Sequence, residues 1–176
     1  MIEILHRGKC TDTGTWYTGQ YIHLRKTTYC FTSDYDMHPD NDIHQIVFER
    51  MTDWGFPNEH LRADVIPETV GRSTGVVVDR KWLFEGDIVS ACVEDGTEAY
   101  RFLVSFGECG GVKNTENKVG YIGFYFSPAN EETKRCMEYG ARDDLLYWLN
   151  STYICKIIGN IHDNPELLEV TNHENL

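Results

Sequence analysis

The stretch from Val65 to Ser90, VIPETVGRSTGVVVDRKWLFEGDIVS, constrains the chain most, because it is full of features a long helix cannot tolerate. Ile66 precedes Pro67, and a residue before proline is pushed into extended geometry. Gly71 and Gly75 bracket a short polar segment that reads as a turn. Val76-Val77-Val78 is a β-branched run, and Lys81-Trp82-Leu83-Phe84 is a second apolar run. Asp79-Arg80 between them reads as a turn, although it lacks the glycine that would mark a strong hairpin signal. Glu85-Gly86-Asp87 then leads into Ile88-Val89. A glycine free to take positive φ, beside an aspartate able to bond local backbone N–H groups, reads as a turn entering a strand. The sharper alternative makes Glu85 and Asp87 a catalytic carboxylate pair, but no His or Cys lies beside them.

Three blocks in order give a resemblance. Pro67, Gly71, Thr74 and Gly75, followed by Phe84-Glu85-Gly86-Asp87-Ile88-Val89, form the central one. Ile2 to Lys9 with Asp12-Thr13-Gly14-Thr15-Trp16 form the first. The last is Gly159-Asn160-Ile161-His162-Asp163-Asn164-Pro165-Glu166-Leu167-Leu168. Together they resemble the YopX family of bacteriophage and prophage proteins. The spacer Val76 to Lys81 departs from the lysine- and glycine-rich turn usual there, and Lys134 to Ser151 looks like an insertion or a divergent segment. The resemblance implies a mainly β chain with minor α: an irregular β-rich N-terminal part, then an SH3-like small barrel with one or two short helices. It implies no activity. It casts Glu85, Gly86, Asp87, Gly159, Asn160, Asp163, Asn164 and Pro165 as architectural positions.

The residues support this division. The 176-residue chain suits one domain or two small ones. The readings are an N-terminal region over residues 1–67, a barrel domain over 68–170 and a frayed tail over 171–176. In the first region, residues 1–9 suit a strand, Thr11 to Gly14 a turn, and Trp16 to Leu24 its partner. Thr27 to Thr32 is another strand candidate. Ser33 to Asp42 reads as loop. Ile43 to Trp54 is open between strand and helical turn, with Ile46-Val47-Phe48 favouring strand.

In the second region Asp87 to Glu94 reads as a strand and Asp95-Gly96 as a hairpin turn. Tyr100, Phe102, Val104 and Phe106 alternate cleanly with Arg101, Leu103 and Ser105. The glycine-rich segment from Gly107 to Asn117 lacks the Lys-Ser/Thr of a phosphate loop. Val119 to Phe126 is the next strand, with Gly123 suggesting a bulge. Ser127-Pro128 reads as the cap and first position of a helix, broken at Gly140, with a further helical segment from Asp143 to Leu149. Tyr153 to Ile158 reads as a central strand, and Asn164-Pro165-Glu166 as the start of a short terminal helix.

Charge excludes one class of function. The net charge is −12. Asp34 to Glu68 holds Asp34, Asp36, Asp40, Asp42, Glu49, Asp53, Glu59, Asp64 and Glu68 against Arg50 and Arg62 only, a local net charge of −7. Phosphate backbones demand a basic footprint, so direct nucleic-acid binding is not expected. No apolar run approaches the roughly 20 residues that span a bilayer, and no signal-peptide pattern opens the sequence. A cytoplasmic location in a bacterial host is expected, and there the six cysteines read as reduced thiols. None forms a C-x-x-C pair.

Three functions follow as expectations. The first is a non-enzymatic accessory protein that binds a protein partner, assembles with itself, or both, without cofactor; Trp54, Phe56, Trp82 and Trp148 are the candidate contact residues. The second is an acidic inhibitor that mimics DNA. The third is a metal-assisted hydrolase using His38, Asp40, Asp42 and His44, residue types competent to ligate a divalent ion but fitting no known spacing template.

Overall fold

A computed structural model describes residues 4–109, 121–138 and 144–168. The glycine-rich residues 110–117, Val119, the break at Gly140, Asp143 and the tail beyond 168 lie outside the described residues. The chain divides into two compact units, Met1–Ser73 and Thr74–Leu176.

The first unit is built from antiparallel strands in the order β4-β3-β2-β1. They are β1 (His6–Lys9), β2 (Trp16–Arg25), β3 (Asp42–Arg50) and β4 (Glu59–Asp64). The start of β5 (Gly71–Val78) pairs with β1, Arg72 opposite His6 and Gly71 opposite Arg7. The β1–β2 turn falls on Thr11 to Gly14 as its residues demand. The Ile46-Val47-Phe48 run resolves as strand, with Ile46 fully buried. A 3-10 turn at Pro67–Thr69 follows β4. Its buried Thr69 hydroxyl accepts from the Lys9 amide and donates to the Ile66 carbonyl, which explains the extended Ile66-Pro67 step leading into it.

Two segments differ from expectation. Thr27 to Thr32 forms no strand. The Asn41 side chain accepts from the Thr27 amide and donates to the Thr27 carbonyl, occupying the groups a neighbouring strand would use. Residues 33–42 are not plain loop either. Helix α1 (Thr32–Met37) and a 3-10 turn, Pro39–Asn41, fill them. Tyr35 anchors that helix, its hydroxyl accepting from the Tyr29 amide and its ring lying 4.3 Å below the Arg25 guanidinium.

The second unit contains the four-stranded sheet β10-β7-β8-β9. Its strands are β7 (Asp87–Cys92), β8 (Glu98–Cys109), β9 (Tyr121–Pro128) and β10 (Ile154–Asn160). The end of β5 and β6 (Lys81–Phe84) form a hairpin turning on Asp79 and Arg80, with left-handed φ of 47° and 64°. That is the geometry a two-residue hairpin loop of this type requires. The alternation on β8 places Phe102 and Val104 in the core with Val89, Ala91, Leu83 and Phe126. The Phe102 and Phe126 rings stack 4.9 Å apart. Each such fully buried phenyl contributes roughly 2–3 kcal/mol of transfer free energy.

The mainly β expectation with few short helices holds, and the short antiparallel strands are consistent with the small-barrel patterning. Three local readings are corrected. Tyr153 to Ile158 is not central: β10 is an edge strand with alternating exposure. Ser127 does not cap a helix. It pairs with Leu103 inside β9, and its hydroxyl bonds that of Ser105 at 2.8 Å. Pro128 ends this edge strand, where a missing N–H is tolerated. Helix α2 (Glu131–Glu138) is capped instead by Asn130, whose side chain accepts from the Thr133 amide. Gly123 makes no bulge; it stands in regular register opposite Gly107. Helix α3 (Leu145–Leu149) begins at Asp144, whose carboxylate accepts from the Leu146 and Tyr147 amides. Pro165–Leu168 is a short 3-10 turn. Among the described residues no helix is long and apolar enough to cross a membrane.

Candidate functional site

The hairpin joining β3 to β4 presents Trp54, the most exposed aromatic side chain among the described residues, together with Phe56. Asp53 shapes its tip: its carboxylate accepts from the Trp54 amide at 2.7 Å, and its carbonyl accepts from the Phe56 amide. The Thr52 hydroxyl donates to the Pro57 carbonyl across the loop. Below the tip, Arg50 bonds Glu59, and the Asn58 side chain donates to Glu49. The backbone is thus tied down, and the large side chains point into solvent. Trp54 is 94% exposed, Phe56 68% and Met51 77%. Single exposed apolar residues are ordinary, but clustered large ones on a fixed turn are a contact surface.

The other two contact candidates lie in the second unit and differ from each other. Trp82 on β6 is half exposed. Trp148 is 4% exposed, packed against Phe102 at 4.7 Å and Tyr100 at 5.1 Å, and belongs to the core. Leu146 and Tyr147 on the same short helix are exposed, so its apolar residues divide between packing on the sheet and facing solvent.

Pro67, Gly71 and the matched residues before them belong to the first unit, and the other family-matched residues belong to the second. Gly86 has φ +82°, its amide donates to the Val104 carbonyl, and its carbonyl accepts from the Ile161 amide. Asp87 is 1% exposed, and its carboxylate accepts from the Phe84 amide at 2.8 Å. Asn160 stands opposite Asp87, and its side-chain oxygen accepts from the His162 and Asp163 amides. The Asn160 amide group donates to the Asp163 carboxylate. Asn164 donates its backbone N–H to the Asn160 carbonyl, and Pro165 starts the terminal turn. A Cβ on Gly159 would lie 2.5 Å from the Asn164 side-chain oxygen, so any larger residue would have to displace the Asn164 side chain. Nearer the hairpin, the Thr74 hydroxyl donates to the Leu83 carbonyl, next to Gly75. Every one of these contacts closes a turn or fixes a strand end. Glu85 and Asp87 are separated by the left-handed Gly86, so they do not share a strand face.

The four metal-ligand candidates separate. Asp42 and His44 come together; His38 and Asp40 lie outside their cluster. The third member is His23, which stands directly opposite His44 in the β2–β3 ladder. Sequence distance concealed it, and only the strand register brings it in. His23 Nε2 lies 3.1 Å from an Asp42 carboxylate oxygen, and the His23 and His44 rings stack 4.6 Å apart. The Tyr21 hydroxyl and His44 Nδ1 are hydrogen-bonded at 2.6 Å. Burial, with the Asp42 charge adding to it, pushes the Tyr21 phenol above its ordinary value.

Among the thiols, Cys10, Cys30, Cys92, Cys136 and Cys155 are free. Burial, with the Cys92 thiol adding to it, pushes Cys155 up to about 11. At neutral pH it is a protonated packing residue rather than a nucleophile.

A mainly antiparallel-β chain, whose signature residues close turns and whose Trp54 and Phe56 stand exposed on another hairpin, defines the class of molecule. The family model described as YopX protein matches residues 22–169. The chain belongs to the YopX family. No curated protein and no solved structure matches it.

Proposed function

We propose that this chain is a phage- or prophage-type accessory protein, acting in the bacterial cytoplasm as a non-enzymatic binding module. It docks a protein partner through the tip of the β3–β4 hairpin. The observation that carries this reading is the 94% exposure of Trp54 on a backbone fixed by Asp53. Trp is the side chain most enriched among binding hot spots, and a pre-ordered turn loses little entropy on docking. The net charge of −12 sets the partner's character. Like charge opposes a second copy of this chain and favours a protein with a basic rim around an apolar pocket.

The acidic mimic is the second reading. Asp36, Asp40, Asp42, Glu49, Asp53, Glu59, Asp64 and Glu68 all keep exposed side chains in the first unit. The two readings differ in salt dependence. Affinity capture from nuclease-treated host lysate, with wild-type and W54A/F56A baits, separates them. A protein retained by wild type at high salt and lost from the double variant supports hairpin docking. One released by salt from both baits favours the mimic. Recovery of the bait alone, with a dimer in light scattering, would replace both with self-assembly.

A further inference from the structure

Strands β2 and β3 bring two imidazoles and a carboxylate to one place in the first unit. His23 and His44 are cross-strand partners, and Asp42 lies two residues before His44 on the same face of β3. One ligand atom from each of the three lies within 4.8 Å of the other two. We propose that His23, Asp42 and His44 form a binding site for a divalent transition-metal ion of the zinc type. This goes beyond hairpin docking and does not depend on it.

The donor set selects the ion. Imidazole nitrogen suits zinc, cobalt, nickel and copper, whereas magnesium and calcium take oxygen ligands. Two His and one carboxylate are a ligand set that zinc uses when it keeps an open position. The ring orientation fits as well. Tyr21 holds His44 through Nδ1, which leaves Nε2 as the nitrogen available to a cation. Metal-ligating histidines are almost always held in this way through their second ring nitrogen. Tyr21 is therefore a positioning residue. His23 Nε2 already faces the Asp42 carboxylate, so a metal ion would take the place between them that a proton otherwise occupies.

Zinc–nitrogen bonds of about 2.0–2.1 Å put tetrahedral ligand atoms roughly 3.3 Å apart. The three ligand atoms, all within 4.8 Å of one another, have to close by at most about 1.5 Å to reach that spacing. His23 and Asp42 are exposed, while half-buried His44 is anchored by Tyr21. Three protein ligands leave at least one coordination position for water or for a donor group from a bound molecule.

The test titrates the chelator-stripped full chain with Co²⁺, read by its visible absorption, and with Zn²⁺, read by calorimetry and by displacement of Co²⁺. The expected result is one saturable equivalent. His23→Ala, His44→Ala and Asp42→Asn each weaken binding at least about tenfold, and Tyr21→Phe weakens it by about tenfold. His38→Ala leaves it unchanged. Circular dichroism of the metal-free variants checks folding. Should His44→Ala fail to fold, the exposed pair His23→Ala and Asp42→Asn decide. No saturable binding below millimolar metal, or undiminished binding in both exposed variants, would overturn the proposal.

Discussion

Asp87 and Asn160 stand opposite each other at one end of the β7–β10 ladder, and each closes a turn with its own side chain. Two blocks far apart in sequence thereby become one structural joint. Gly86 lies between them, bonded to Val104 on one side and Ile161 on the other.

Variants at this joint should lose stability. Gly86→Val forces a β-branched residue to φ +82°, at a cost above about 1 kcal/mol. A new Cβ would meet Ile161 at an ordinary 3.5 Å, so the backbone and not a clash sets the cost. Asp87→Ala should cost about 1–3 kcal/mol by leaving the Phe84 amide without the Asp87 acceptor. Denaturant unfolding checks both; unchanged midpoints would show that the joint is not structural.

The β5–β6 turn should be improvable. Arg80 holds φ 64° with a side chain that disfavours it. Arg80→Gly restores the residue this turn prefers and should stabilise the chain by about 1 kcal/mol. Thermal unfolding reads the change, and a lowered melting temperature would show that Arg80 makes contacts outweighing its strain.

Stability should fall on mild acidification. His6 is half-buried, with Arg72 opposite it and the Tyr21 ring 5.6 Å away. Burial first, and then the Arg72 charge, hold its imidazole below the ordinary 6.5. The unfolded chain therefore takes up a proton that the folded chain resists. Stability is complete above 6.5 and declines as pH drops from there toward the lowered value. Carboxylates such as Asp95, held below its usual range by bonds from Thr97, lose their stabilising contribution only at lower pH. Melting curves in chelator between pH 7.5 and 5 should show the decline, and His6→Asn should flatten it. A wild-type curve flat over that range would contradict the assignment.

Much of the fold was legible because local chemistry and pattern agreed. Asp95-Gly96 makes its turn, and the Tyr100-to-Phe106 alternation fixes which face of β8 is buried. The failures share a cause: a distant group decided the local outcome. Asn41 takes the backbone groups of Thr27 and cancels a strand that composition favours. Ser127 and Pro128 look like a helix start but are held in β9 by pairing with Leu103 and Phe102. Trp148 and Tyr147 are neighbours of similar character, and only the packing of α3 sends one inward. Asp42 and His44 were visible as ligands, whereas His23 required the β2–β3 register.

The central claim is that Trp54 and Phe56 provide the function while the signature joint provides the fold. The most direct test measures affinity for the captured partner by calorimetry, comparing wild type, W54A/F56A and Asn160→Ala under conditions where all three are folded. The expected result is a loss of at least about 2 kcal/mol of binding in W54A/F56A with an unchanged melting temperature. Asn160→Ala should melt lower and bind as wild type does. Wild-type affinity in W54A/F56A would contradict the claim.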